Sequence, residues 1–536
     1  MGIGENTGEN IGEHTGSGGL IYRPPVITGS GAIFFLSATS LPPGSYLTIY
    51  GYNLPNPAIV KIGPSNKQQT VINQAYDYDH LPLSPSLMYL GKITGVYNVN
   101  LIVDVNGIPI NPEKIQKIDV LLDNVTTADT GSLTVEGVGL VVDERGEYSF
   151  TDTVAPFGVH SGNVYYVDED QVANGTGSFA SPFNSLTALR NTMAPGDAGY
   201  IRETTSSMST TVSSQNGKPG FLYLTAAQTG TASQPITYSA YPGEIPTWDG
   251  DNADHFVAPA INGTVEYVTV HGISYVRPTN FAVGSTFCST AESNPNPDYN
   301  YLRLVGNYAF GVFAGQSGAF ITISGHGSAF GANSRHGVRI IGNYCDLTQE
   351  GNPTDNNPHV YYFAGRRFTE DCSMLFNRNT RHGAARVIQL FGHSLPEEAT
   401  DLYIRFNNLE GSRNTSHNSS AQDLVVSHSD SYGGPDGGRM WQNIFLDWNT
   451  LSGGGTGIRV WAIDITADNC VAQVTYNVCY DNTFGDIDIE EYLTANVAYN
   501  VTEQAISFLK EPPNGVTTIS TGNLSGATNG YPGALQ

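Results

Sequence analysis

The segment DIDIEEY (486–492) carries Asp488 and Glu490 two residues apart. On a β-strand that spacing puts both carboxylates on one face with backbones about 6.5 Å apart. This separation suits a pair that hydrolyses a glycosidic bond with inversion. One acid protonates the leaving oxygen and the other activates a water held between them. Asp486 extends the same alternation and could replace either acid. The segment GIRVWAID (457–464) adds Arg459 and Trp461 in the same alternating phase. An arginine beside a uronic carboxylate, with His428 or Tyr361 as a base, would instead serve β-elimination. The phase of His428 depends on that of Val426. Tyr361, Phe363, Phe391 and Trp461 offer aromatic faces for sugar rings, and Gln389 offers a side-chain amide for hydroxyls.

These residues need a scaffold that lays short strands side by side, and the sequence contains one. Asn307, Asn343, Asn377, Asn407, Asn449, Asn477 and Asn500 each follow a short alternating apolar run, as in VRIIG, LYIRF and IFLDW. Their spacings are 36, 34, 30, 42, 28 and 23 residues, with a mean near 32. A repeat of this length signals stacked coils that share one core. The asparagines are expected to stack at one corner, adopting the left-handed conformation that a bend between sheets requires. Between successive asparagines lies a second strand: GVFAG (311–315), HVYYFAG (359–365), RVIQLFG (386–392), DLVVSHSD (423–430), GIRVWAID and DIDIEEY. With Val360, Ile388, Ile458, Ile487 and Ile489 inward, the outward set is Tyr361, Phe363, Gln389, Phe391, Arg459, Trp461, Asp488 and Glu490. About nine coils are expected.

Residues 20–156 have a different texture. Alternating segments broken at Pro and Gly, such as AIFFLSATSLPPGSYLTIYGYNL, predict antiparallel β-structure. LTIYGYNL and LTVEGVGL echo each other, which allows one or two small sandwiches. Residues 1–19 are Gly-rich and repetitive (GENTGENIGEHTG), with no core of their own. Order there would come from another chain of an assembly. Neither a basic region nor an apolar core of a signal peptide is visible in this stretch.

Lys and Arg total 24 against 49 Asp and Glu, giving a net charge of −25. This argues against a nucleic-acid partner. No apolar run of membrane-spanning length occurs. The five cysteines imply no disulfide framework. His382, Arg386 and His393 fit no metal-ligand spacing, and DGDNAD (249–254) lacks the later residues of a calcium loop. No metal and no cofactor are expected. SHSDSYGGPDGGRMW (427–441), with Asp430, Asp436 and Arg439, is expected to protrude as a loop beside the groove.

Two stretches resemble known families. PVITG…GSYLTIYGYNLPNPAIVKIG resembles an IPT/TIG domain, a small immunoglobulin-like sandwich. GNVYYVDEDQVANGTGSFASPFNSLTALRNTMAPGDAGYIRE (162–203) with QPITYSAYPGEIPTWDGDN (234–252) is similar to the opening coils of right-handed parallel β-helix proteins, which include pectate lyases, chondroitinase B and phage tailspikes. The expected class is therefore all-β: a right-handed parallel β-helix at 157–515, preceded by the sandwich at 20–156 and followed by a tail at 516–536. The resemblance implies a polysaccharide partner and a tailspike-type protein that binds and degrades a glycan. Such a protein would sit at an extracellular or virion surface, join other subunits through residues 1–19, and form a homo-oligomer such as a trimer. Residues 516–536 are too few for a sizeable trimerisation domain after the last coil. The alternatives are a secreted polysaccharide lyase or glycoside hydrolase with an accessory sandwich, and a non-catalytic adhesive β-helix.

Overall fold

A computed structural model describes residues 31–52, 54–75, 88–89, 102–103, 116–142, 148–150, 155–205, 220–249, 255–258, 265–276, 284–285, 299–310, 318–324, 335–346, 359–364, 368–369, 372–380, 386–393, 402–411, 422–429, 444–461, 471–480, 482–490, 494–498, 500–502, 504, 506–509 and 517–521. The expectations for residues 1–19, GVFAG and most of the 427–441 segment lie outside these residues.

The N-terminal part is a sandwich of a six-stranded and a five-stranded sheet. Ile33, Leu47, Ile49, Ile118 and Val120 of one sheet pack against Val60, Ile62, Leu133, Val135 and Phe157 of the other. The two echoing segments belong to this single sandwich. LTIYGY lies on the strand Tyr46–Tyr52 of the six-stranded sheet. LTV ends the strand Gly131–Val135 of the five-stranded sheet, and the following strand, Val138–Val142, returns to the six-stranded one.

From Val164 onward the chain is a parallel β-helix. Its described strands form three long parallel sheets of twelve, nine and eight strands. Twelve strands at about 4.8 Å give a solenoid about 53 Å long. This exceeds the expected nine coils because the first turns, with strands starting at Val164, Ala198, Ile236 and Val268, carry no asparagine marker. Inside, the successive strands from Arg303–Val305 to Thr494–Ala498 contribute an apolar residue each to a continuous column, Leu304, Ile340, Met374, Ile404, Leu446, Val474 and Val497, all fully buried. Each such side chain contributes roughly 1.5–3 kcal/mol by leaving water.

The asparagines stack at the corner that follows this sheet, but they are not the left-handed residues. Positive φ belongs to the residue before each of the first six: Gly306, Gly342, Phe376, Phe406, Trp448 and Tyr476. The asparagine side chain instead closes the ladder. Asn407 Nδ2 donates to Met374 O at 3.0 Å and to Asn449 Oδ1 at 2.9 Å, and its own Oδ1 accepts from Asn377 N at 2.9 Å and Asn377 Nδ2 at 3.0 Å. The pattern repeats from Asn307 to Asn500. An aromatic residue in the left-handed region costs on the order of 1 kcal/mol or more. Ring stacking offsets part of it: Phe376 on Phe406 at 5.1 Å and Trp448 on Tyr476 at 4.1 Å.

The sandwich is fused to the outer face of the twelve-stranded sheet. Tyr46 N donates to Tyr200 Oη at 2.7 Å, Arg303 Nη2 donates to Leu36 O at 3.2 Å, and Phe34 stacks on Phe376 at 5.0 Å. Between the two bodies, His271 is hydrogen-bonded through Nε2 to Tyr50 Oη at 2.6 Å and through Nδ1 to Ser239 Oγ at 2.9 Å. The residues expected to do chemistry lie on a different sheet.

Candidate functional site

The strands between the asparagines, and one after the last, pair in register to form most of the eight-stranded sheet: His359–Ala364, Arg386–His393, Gln422–Ser429, Thr456–Trp461, Gly485–Glu490 and, after Asn500, Ser507–Leu509. The strand before His359–Ala364 is Gly318–Ser324, not GVFAG.

Six of the eight strands, from Gly318–Ser324 to Gly485–Glu490, open with an irregularity. The ladder pairs His359 with Arg386 and Tyr361 with Ile388, passing over Val360 and Val387. It pairs Thr456 with Gly485 and Ile458 with Ile487, passing over Gly457 and Asp486. At this position the chain bends, so two consecutive residues face the core: Val360 with Tyr361, Val387 with Ile388, Asp486 with Ile487, all buried. Alternation counted from Val360 is therefore wrong by one residue.

This corrects three expectations. Tyr361 and Phe363 do not face outward; both sit in the solenoid core, 0% and 1% exposed. Tyr361 Oη donates to the carbonyls of Asn343 and Arg378 at 3.3 and 3.4 Å. Burial pushes its hydroxyl pKa well above the usual tyrosine value, so it stays protonated and is unsuited to the role of base. Asp486 is buried at the bend, where it accepts from Asn482 Nδ2 at 2.8 Å and from Gln504 N at 2.7 Å. Gly457 lies directly beneath it, and a Cβ there would meet Asp486 O at 2.6 Å. Asp486 is a corner-forming acid and does not extend the outward pair.

Beyond the bend, alternation resumes. In backbone register one row runs Tyr362, Gln389, Val425, Arg459, Asp488, Ser507, the phase in which Arg459 and Asp488 are partly exposed. A second row, two residues further along each strand, runs Ala364, Phe391, Ser427, Trp461, Glu490, Leu509. Arg459 thus pairs with Asp488 across one strand spacing, and Trp461 with Glu490. Arg459 and Asp488 are half-buried. The Asp488 carboxylate folds back over the strand start, where a Cβ on Gly485 would lie 3.1 Å from its Oδ1. Gln389 is nearly buried and accepts from Arg386 Nη1 at 2.9 Å. His428 pairs with Gly392 in the phase of Leu424 and Val426, one residue out of step with both rows.

The sequence reading named Arg386 only for a metal-ligand spacing it does not fit, and did not place it on the outward side, where it is partly exposed. The signal along a strand was the pair of adjacent apolar residues, VY in one strand and VI in the next, where alternation stops. Among the described residues, no cluster of three or more His, Cys, Asp or Glu could hold a metal ion. No helix among them is long and apolar enough to cross a membrane.

No family model and no curated protein matches the chain. Among solved structures, pectate lyase Pel9A superimposes with a TM-score of 0.34 at 14% identity, covering 69% of this chain and 79% of its own. A rhamnogalacturonan lyase superimposes at 0.30 and 12% identity, covering 68% and 87%. At these TM-scores the likeness carries no argument about what this chain does.

Proposed function

We propose that this protein binds an extended polysaccharide along the outer face of the eight-stranded sheet and hydrolyses it beside Asp488 and Glu490. The observation that carries the reading is the pairing of Arg459 with Asp488 and of Trp461 with Glu490 on adjacent strands. A cation, an aromatic residue type and two acids thereby share one small patch. Asp488, in register beside Arg459, is assigned the role of the base that activates water. Glu490, one step further from the cation, is the acid that protonates the leaving oxygen. Elimination is the weaker reading, because Tyr361 is a buried donor and His428 is out of phase with both rows. The same proposal takes in a tailspike-type setting. There the chain works outside the cell or on a virion, residues 1–19 join other subunits, the chain assembles as a homo-oligomer, and the IPT/TIG-like sandwich is the spacer.

The test is reducing-sugar release from a polysaccharide panel. Asp488→Asn and Glu490→Gln should each lower turnover by roughly 100-fold or more while leaving affinity nearly intact, since only the transition state needs the proton transfers. Trp461→Ala should weaken binding by roughly 1–3 kcal/mol, as loss of a stacked aromatic anchor does. Unchanged behaviour of all three variants refutes the site.

A further inference from the structure

The outward row that carries Asp488 has a charge order along the solenoid axis. After Tyr362 comes Gln389, whose Oε1 accepts from Arg386 Nη1 at 2.9 Å. That bond draws the Arg386 guanidinium from the start of its strand into the row. Val425 follows on the next strand, then Arg459, then Asp488. Arg386 and Arg459 are both half-buried on a sheet that faces outward there. Two guanidinium groups in one row stand out in a chain with 24 basic and 49 acidic residues. Adjacent strands are about 4.8 Å apart, so the two cationic positions are about 10 Å apart, with an uncharged position between them and an acid about 5 Å beyond.

A pyranose ring with its glycosidic oxygens spans about 5 Å at ordinary covalent bond lengths. One sugar therefore occupies one strand spacing when the glycan lies along the axis. From this register we infer that the groove selects a glycan with one acidic group per disaccharide. This rests on the reading that the eight-stranded sheet is the glycan groove. A carboxylate on one sugar meets Arg386, the next, neutral sugar lies over Val425, and the carboxylate of the third meets Arg459. The fourth sugar lies at Asp488 and must be neutral, because a carboxylate there would face an ionised acid. Planar guanidinium groups suit carboxylates in two-pronged hydrogen bonds. A polymer with a carboxylate on every residue meets repulsion at Asp488 and gains nothing at Val425. A neutral polymer gains from neither arginine. The acid at the reaction centre thus also acts as a selectivity element.

The experiment measures binding of the full chain, with the reaction stopped by Glu490→Gln, to hyaluronan and chondroitin, to polygalacturonate, and to carboxyl-reduced hyaluronan and chondroitin. The first two carry a carboxylate on every second sugar, and polygalacturonate carries one on every sugar. An alternating polymer should bind at least tenfold tighter than polygalacturonate, and carboxyl reduction should abolish that advantage. Arg386→Gln and Arg459→Gln should each weaken it about tenfold, the scale of one charge-assisted contact, with thermal melting unchanged. Equal or tighter binding of polygalacturonate or of the reduced polymers would overturn the charge spacing while leaving the groove standing. Full-strength binding in both arginine variants would do the same. No binding to any of the five would sink the groove itself. The polymer comparison needs no arginine variant, so a misfolded variant does not shield the inference.

Discussion

Replacing Asn407 by alanine tests the asparagine ladder at its centre. The side chain is fully buried. It donates to Met374 O and Asn449 Oδ1 and accepts from the backbone and side-chain nitrogens of Asn377, at 2.9–3.0 Å. Not all four bonds cost the same when lost. Asn377 Nδ2 retains Ile340 O and Leu375 O, and Asn449 Oδ1 retains Asn407 N. The group left without its partner is the Asn377 N–H, whereas the Met374 carbonyl keeps its place in the strand ladder beside Arg405 and loses only its second donor. The Asn377 amide belongs to backbone with no route to water at a 0%-exposed corner. Such an orphan costs roughly 1–3 kcal/mol and the lost amide bonds add about 1 kcal/mol, so the substitution should destabilise the solenoid by about 2–4 kcal/mol, a large part of a typical folding free energy. Urea unfolding followed by circular dichroism reads the total. Hydrogen exchange at the Asn377 amide reads the local event, and it should accelerate there before it does at the Asn307 amide two rungs away. Asn407→Asp should be at least as costly, since a carboxylate supplies no donor for Met374 O and places an oxygen opposite Asn449 Oδ1. A loss below about 1 kcal/mol with unchanged exchange would refute the claim that the ladder, rather than the apolar columns alone, holds the corner.

The core position of Tyr361 predicts that Tyr361→Ala costs roughly 3–5 kcal/mol in unfolding, as for other large-to-small core changes, and leaves glycan affinity of the folded fraction unchanged. Lost affinity without lost stability would return Tyr361 to the groove. His271 predicts acid sensitivity of the sandwich–solenoid junction. Burial lowers its pKa to about 3, with Lys117 and Arg303 acting in the same direction. The unfolded chain therefore binds the proton more readily, and this contribution is fully present above about pH 6.5 and is lost as pH falls towards 3. His160 is shifted in the same direction, chiefly by burial. His271→Gln should flatten the fall in melting temperature between pH 6.5 and 4, and a profile as steep as the wild type's would show that this imidazole is not the group titrating.

Much of the solenoid was legible because its signals are local and repeated. The residue before each asparagine, whether Gly342, Phe406 or Tyr476, ends an alternating run, and the asparagine follows without exception from Asn307 to Asn500. What misled the reading at this corner was chemistry. Asparagine tolerates the left-handed region, so it was assigned the bend. The structure gives that strain to its neighbour and uses the amide where only an amide serves, since one side chain must both donate to and accept from adjacent rungs. A hydrophobic residue with positive φ carries no compositional mark. It was legible only as the partner of a fixed asparagine.

The outward face was half legible for a related reason. Alternation predicts facing only while the pleat continues, and it breaks at one residue in six strands of the eight-stranded sheet. Counting from Ile388, Ile458 or Ile487, just past the bend, gives Gln389, Arg459 and Asp488 on one row, as the structure has them. Counting from Val360, at the bend, sends Tyr361 and Phe363 outward when both belong to the core. Nothing in HVYYFAG alone distinguishes the two anchors, because valine and tyrosine are both acceptable inside. The neighbouring strands do distinguish them. Val360 lies beside Val387 and, three coils on, the same position is Gly457 and then Asp486, a sequence of residues that no uniform apolar column would accept. A position that tolerates valine, glycine and a hydrogen-bonded acid is a corner, whereas the next position, Tyr361, Ile388, Leu424, Ile458 and Ile487, is apolar in every coil. Reading down the stack of coils fixes the phase that reading along one strand leaves open, and it is that phase which sets Arg459 beside Asp488.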